Sequence, residues 1–214
     1  MHEVVDRLIS IQKEIQSKNS PAQIIAVSKT FPMNKILPLI NHGHLNFGEN
    51  KVQEAIDKWT SIKNDFGHIK LHLIGKLQTN KVKYVIPLFD YIHSLDSKKL
   101  AEKIANEQIK KKKKVKIFIQ VNIGKESQKN GIEIENLVEF YDSCINEFNL
   151  DIVGLMCLPP IGEDSKSYFS QMLDLSKKIS SKELSMGMSN DYLSAIEFKS
   201  TFVRIGSKIF GSRV

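Results

Sequence analysis

Two cysteines, Cys144 and Cys157, are too few in 214 residues for a disulfide framework, which removes the small secreted scaffolds. No stretch approaches the roughly 18 consecutive apolar residues that a membrane helix needs. The opening Met1-His2-Glu3-Val4-Val5-Asp6-Arg7 lacks the basic-then-apolar layout of a signal peptide. Exported, membrane and fibrous classes are therefore set aside in favour of a cytoplasmic chain. Proline and glycine are sparse, at 6 and 11, and nowhere cluster into a linker, so residues 1–214 are read as a single domain.

What is present is ordinary globular material: 41% hydrophobic and 26% charged residues, enough for a sizeable core. The formal net charge of +7 raises the question of nucleic acid, and its densest source is the run Lys110 to Lys114. That run ends a helical face of Leu100, Ala101, Ile104, Ala105 and Ile109. Cations are favoured there by the helix dipole, and no interleaved aromatics or binding motif accompany them. It reads as a solvated helix end. The pair His42 and His44 has no Cys, Asp or Glu cluster beside it, so no metal is expected.

Short apolar runs alternate with helical patterns along the chain. Val4, Leu8, Ile11 and Ile15 give an opening amphipathic helix. Strands are read at Ile24–Val27, Leu45–Phe47, Leu71–Ile74, Tyr91–Ser94, Val115–Val121, Ile152–Met156, Glu183–Met186 and Thr201–Ile205. Each is followed by helical material: about 34–41, 51–60, 79–85, 100–109, 134–148, 164–179, a short helix from Asp191, and Ser207–Phe210. Such alternation predicts an α/β fold with a parallel sheet, and eight repeats predict a closed (β/α)8 TIM-type barrel preceded by one extra helix. An open doubly wound sheet is the alternative.

In such a barrel the chemistry gathers at the C-terminal strand ends. Those positions hold Lys29, Glu49 and Asn50, His72 and Gly75, His93 and Ser94, Asn122, Met156, Ser189, and Arg204 with Gly206 and Ser207. Lys29 leaves a buried strand at the barrel mouth, where a partly desolvated amine is suited to Schiff-base chemistry with a carbonyl. A lysine that snorkels to solvent is the plainer reading. The loops after strands seven and eight, with Ser189, Gly206 and Ser207, have the place and composition of a barrel phosphate site, although plain helix caps read the same way. A reactive lysine, a phosphate cradle and an arginine for a pyridine nitrogen together describe a pyridoxal 5'-phosphate (PLP) site.

The segments Ala26-Val27-Ser28-Lys29-Thr30, Phe47-Gly48-Glu49-Asn50, His72 to Lys81, Gly154-Leu155-Met156, Gly187-Met188-Ser189 and Val203 to Gly211 carry a family likeness. With them the chain resembles the pyridoxal-phosphate homeostasis proteins, single-domain relatives of the alanine racemase N-terminal barrel. The resemblance implies a fold-type III barrel in which Lys29 holds PLP as a Schiff base. It implies Arg204 near the ring nitrogen and Ser189, Gly206 and Ser207 at the phosphate. Asn50, His72 and Met156 are further candidate cofactor-site residues, although His72 reads equally well as a strand histidine satisfied by its neighbours. It implies a vitamin B6 carrier that buffers or delivers PLP, without robust catalysis of its own, with PLP-dependent apo-enzymes as recipients. Neither nucleic acid nor membrane is a partner, and a monomer is expected. A PLP-dependent amino-acid racemase-like enzyme is the alternative. That reading needs a second base, which two-domain racemases supply from a domain this chain does not reach. A class I aldolase-like barrel using Lys29 is a third reading and predicts a colourless protein.

Overall fold

Segments that are apolar at consecutive positions make strands that must be covered on both faces. The computed structural model, which describes residues 2–212 apart from 127 and 129, arranges eight of them as a closed parallel barrel in sequential order. They are β1 (Gln23–Val27), β2 (Asn46–Glu49), β3 (Lys70–Leu73), β4 (Tyr91–Leu95), β5 (Lys116–Val121), β6 (Asp151–Cys157), β7 (Glu183–Met188) and β8 (Phe202–Ile205). The barrel closes where β8 pairs back onto β1, with Gln23 opposite Phe202 and Ile25 opposite Arg204. The open-sheet alternative is excluded by that seam.

Outside the barrel lie α1 (Glu3–Ser17), α2 (Met33–Asn41), α3 (Val52–Asp65), α4 (Val82–Leu88), α5 (Lys98–Lys111), α6 (Leu137–Asn146), α7 (Ser165–Lys178), α8 (Tyr192–Glu197) and α9 (Ser207–Phe210). Short 3-10 turns at Thr79–Lys81 and Ile134–Asn136 lead into α4 and α6, which therefore begin later than the apolar pattern predicts. α3 runs past the expected end near Thr60, because Trp59 and Ile62 continue its apolar face. α1 precedes the first strand and buries Val4, Val5, Leu8, Ile11 and Ile15. It packs on α2, α8 and α9, so it spans the seam between the first and last units of the barrel.

The apolar interior divides in two. The larger core lies between strands and helices. A smaller one fills the barrel itself, with Ile25, Phe118, Met156 and Phe202 in contact and Tyr91, Val153 and Leu158 packed against them. Gly154 sits where β6 passes close to the β7 backbone. A Cβ there would lie 2.0 Å from the Glu183 carbonyl oxygen on β7 and 2.9 Å from the Phe118 ring inside. Gly154→Ala must therefore part β6 from β7, and it is expected to cost about 2–3 kcal/mol as an overpacked core site. Urea denaturation measures this; a midpoint equal to that of the parent chain would show that the seam yields.

No helix among the described residues is long and apolar enough to cross a membrane. No group of three or more His, Cys, Asp or Glu among them could hold a metal.

Candidate functional site

A cavity of about 870 Å³ opens at the C-terminal end of the barrel. Lys29, Asn50, Ser189, Arg204, Gly206 and Ser207 all line it, so six residues scattered over almost 180 positions converge on one space. The apolar part of the lining includes Val27, Phe31 and Ile74, and the loop Leu158–Ser165 forms one side.

The backbone that carries Lys29 is clamped from both sides. Lys58, on α3, donates from Nζ to the Ser28 carbonyl at 3.0 Å, to Glu49 Oε1 at 3.0 Å and to Glu54 Oε1 at 2.9 Å. Glu49 Oε1 also accepts from the Ser28 hydroxyl at 2.8 Å and from Trp59 Nε1 at 2.9 Å. Glu54 Oε1 accepts the Thr30 N–H at 2.5 Å. Ser28 and Thr30 flank Lys29, and Thr30 holds a left-handed φ of 68°, an uncommon conformation for a β-branched residue that needs such support. Burial alone would raise the Glu54 pKa; the Lys58 ammonium and the Thr30 N–H outweigh it and leave it lowered. Glu49 was already a strand-end candidate, but Lys58 and the hydrogen bond of Trp59 were missed. The signal available for Lys58 was its i,i+4 spacing from Glu54.

Arg204 projects from β8 and is 4% exposed. Its Nη1 donates to the Ser185 carbonyl at 2.5 Å and to Ser185 Oγ at 2.7 Å, and its Nη2 donates to the Cys157 carbonyl at 2.8 Å. All three acceptors are neutral. Burial lowers its pKa while the field of Asp191 opposes this, and a guanidinium stays charged at neutral pH regardless. A cation so placed favours an electron-rich partner.

The loops after β7 and β8 form the opposite wall. Gly187 has φ +92°, and a Cβ there would meet Ala195 Cβ at 2.6 Å, so only glycine lets β7 turn into α8 with Ser189 at the rim. The Met188 N–H is taken by Asp191 Oδ1 at 2.6 Å, which folds this loop tightly. At Gly206 a Cβ would meet nothing closer than Val27 at 3.4 Å. The missing side chain there clears the cavity rather than the protein's own packing. α9 begins at once with Ser207, and the first N–H groups of any helix lack intrahelical acceptors.

His72 and Met156 do not line the cavity. His72 is fully buried lower in the barrel, its ring nitrogens engaged by Asn46 and His93, and Met156 belongs to the inner core. Asn122 organises the loop that follows β5, where it donates to the Glu126 carbonyl and to Glu133.

The residues fit a phosphorylated pyridine aldehyde on three counts. Asn50 Oδ1, on the cavity wall, is buried without a hydrogen-bond partner. The space at Gly206 is cleared, and the arginine has only neutral acceptors. The alanine racemase N-terminal domain model matches residues 6–214. A protein of Aquifex aeolicus called pyridoxal phosphate homeostasis protein is 39% identical over 201 residues, which cover 90% of this chain and 87% of its own. The structure of PipY from Synechococcus elongatus with PLP bound superposes with a TM-score of 0.87 at 32% identity, covering 97% of this chain and 100% of that one. An alanine racemase of Bartonella henselae shares the fold, with a TM-score of 0.74 at 16% identity, covering 99% of this chain and 63% of the racemase.

Proposed function

Since this chain belongs to the alanine racemase N-terminal domain family, among its pyridoxal phosphate homeostasis proteins, we propose that it binds PLP at the barrel mouth and serves intracellular PLP homeostasis. The observation that carries this is the convergence of Lys29, Asn50, Ser189, Arg204, Gly206 and Ser207 on one cavity. When bound, the cofactor supplies an aldehyde open to capture by an amine. Lys29 is that amine, held at the mouth by its clamped neighbours. Ser189, Ser207 and the first N–H groups of α9 would hold the phosphate, with Gly206 leaving the backbone open to it. Arg204 would serve the ring nitrogen and, as a permanent cation, would discourage its protonation. Asn50 would supply a polar contact, and apolar Val27 and Ile74 on the same cavity wall would help to exclude water.

The lining favours a carrier over a racemase. It contains no Tyr, His or Cys among the described residues. Its Glu163 accepts a hydrogen bond from Tyr168, its Asp164 caps α7 through the Lys166 N–H, and its Asp191 accepts the Met188 N–H. None of the three carboxylates is poised as the second base that proton exchange on both faces of a substrate carbon requires. The protein then buffers PLP and delivers it to PLP-dependent apo-enzymes, working in the cytoplasm as a monomer.

Purified protein is expected to absorb in the visible, and borohydride should fix the cofactor to Lys29 in a peptide map. Trapping on another lysine, such as Lys76 or Lys81, would refute the site. Racemisation of alanine or serine that disappears in Lys29→Ala would replace the carrier by the enzyme.

A further inference from the structure

Arg204 is the upper end of a single file of polar groups that descends through the barrel, buried as far as Asn46 and ending at the exposed Gln23. Below it, Ser185 Oγ lies 2.9 Å from His93 Nδ1, and His93 Nε2 lies 3.0 Å from His72 Nδ1. His72 Nε2 lies 3.0 Å from Asn46 Oδ1, and Asn46 Nδ2 lies 3.1 Å from Gln23 Oε1. The members come from β8, β7, β4, β3, β2 and β1 in turn. Both imidazoles are fully buried and sit among aromatic rings: His72 stacks on Tyr91 at 4.3 Å, and His93 stacks on Phe118 at 4.3 Å.

The polarity of this file follows from its foot. An amide oxygen can only accept, so His72 Nε2–H donates to Asn46 Oδ1, while the Asn46 amide donates to Gln23. Burial keeps both imidazoles neutral, so His72 carries no second proton, its Nδ1 accepts, and His93 Nε2–H donates to it. His93 Nδ1 then accepts in turn, and the Ser185 hydroxyl gives it its one proton while accepting from Arg204, which can only donate. This pattern makes both histidines neutral Nε2–H tautomers. A second proton on His93 would turn its Nδ1 against the hydroxyl proton of Ser185, which would have no acceptor left on this path.

We infer that Ser185 and His93 are positioning residues for Arg204, and that the one-way file fixes the guanidinium as a donor aimed at the ligand that occupies the barrel mouth. This deepens the PLP reading and rests on it. Ser185 is the joint, because it engages Nη1 through both its carbonyl and its hydroxyl. His93 sets the joint by taking the hydroxyl proton, which leaves the Oγ lone pairs for the arginine. A carboxylate in place of Ser185 would hold the arginine as firmly but would neutralise it. The neutral file orients the cation and leaves its charge for the ligand.

The test has two arms. In cofactor-free protein, ¹⁵N NMR of labelled histidine should show two neutral rings protonated at Nε2; a proton on Nδ1 of either His72 or His93 overturns the polarity whatever the cofactor does. In the second arm, equilibrium PLP binding to Ser185→Ala is expected to weaken about tenfold, the value of one hydrogen bond to a charged group. His93→Leu should weaken it similarly, whereas His93→Gln, whose amide can accept above and donate below, should restore binding to within about twofold of the parent chain. Parent-like binding by Ser185→Ala, or equal loss in the Gln and Leu variants, overturns the positioning role. Absence of PLP binding in the parent chain itself would instead refute the proposed function, and the NMR arm would still decide the file.

Discussion

Taking the protein from pH 7 to pH 5.5 is expected to remove about 4 kcal/mol of folding stability, a loss carried by three histidines that the fold buries in the neutral form. Burial lowers the His44 pKa to about 4, with a further contribution from His42 and partial relief from the Asn46 carbonyl. Burial holds His72 and His93 well below the ordinary range, aided by His44 and Lys63 for the first and by His72 and Arg204 for the second. In the unfolded chain all three take up protons near pH 6.5. The unfolded state then binds more protons than the native state, so stability rises with pH and falls as the solution is acidified through that value. The slope approaches three protons, about 4 kcal/mol per pH unit, and persists towards pH 4. Glu54, whose pKa is lowered, adds to the loss in the carboxylate range, while Glu183 and Asp96, whose burial raises theirs, oppose it there. Urea midpoints at pH 7, 6 and 5.5 measure the effect. His44→Gln, which can keep the hydrogen bond to the Asn46 carbonyl, should reduce the slope by about a third. A flat profile would mean that the three rings are not buried neutral.

Lys58→Met should cost about 3–5 kcal/mol, the range for removing one partner from a buried ion pair. The side chain of Lys58 is 9% exposed and that of Glu49 is fully buried, so the substitution leaves a carboxylate without its cation in a dry site. It also frees the Ser28 carbonyl and, through Glu54, loosens the support of Thr30. The consequence reaches Lys29, because the residues on either side of it lose their anchors together. Borohydride trapping of PLP on Lys29 should therefore fall at a temperature where the variant is still folded. Lys58→Arg, which keeps the charge, should recover most of the stability. A fully stable Lys58→Met chain, or one that destabilises without any change in trapping, would separate the clamp from the site.

The strands were legible because a parallel barrel needs apolar residues at consecutive positions, and segments such as Ile24–Val27 and Val115–Val121 show that plainly. Each read strand overlaps an observed one, with ends that coincide or shift by at most two residues. Lys29, Asn50, Ser189, Arg204, Gly206 and Ser207 were legible as positions that leave a strand at its C-terminal end. His72 and Met156 were read from the same rule but stand one layer down, inside the barrel. Inward side chains of a barrel stack in layers, so a residue read at a strand end falls one layer below the mouth when the strand runs on past it, as β3 does beyond His72 and β6 beyond Met156. Ser185 and Lys58 carried no such mark. Ser185 reads as a small residue inside an apolar run, and Lys58 as a solvent-facing helix lysine. What makes them matter is a neighbour brought in by folding: Arg204, 19 positions away, for the first, and Ser28, 30 positions away, for the second.

The seam between β1 and β8 also dictates an order of events. It pairs Gln23 with Phe202, and the same junction is bridged by Glu14, which accepts from the Tyr192 hydroxyl and lies 3.5 Å from Lys208. Contacts of such sequence separation are entropically slow to form. During synthesis the barrel cannot close until β8 has emerged from the ribosome, and until then the growing sheet presents β1 and its newest strand as open edges. Arg204 sits on β8, so the cofactor end of the barrel is assembled by the last strand to arrive. A nascent chain halted before Phe202 therefore exposes a sticky sheet and has no place for the ligand.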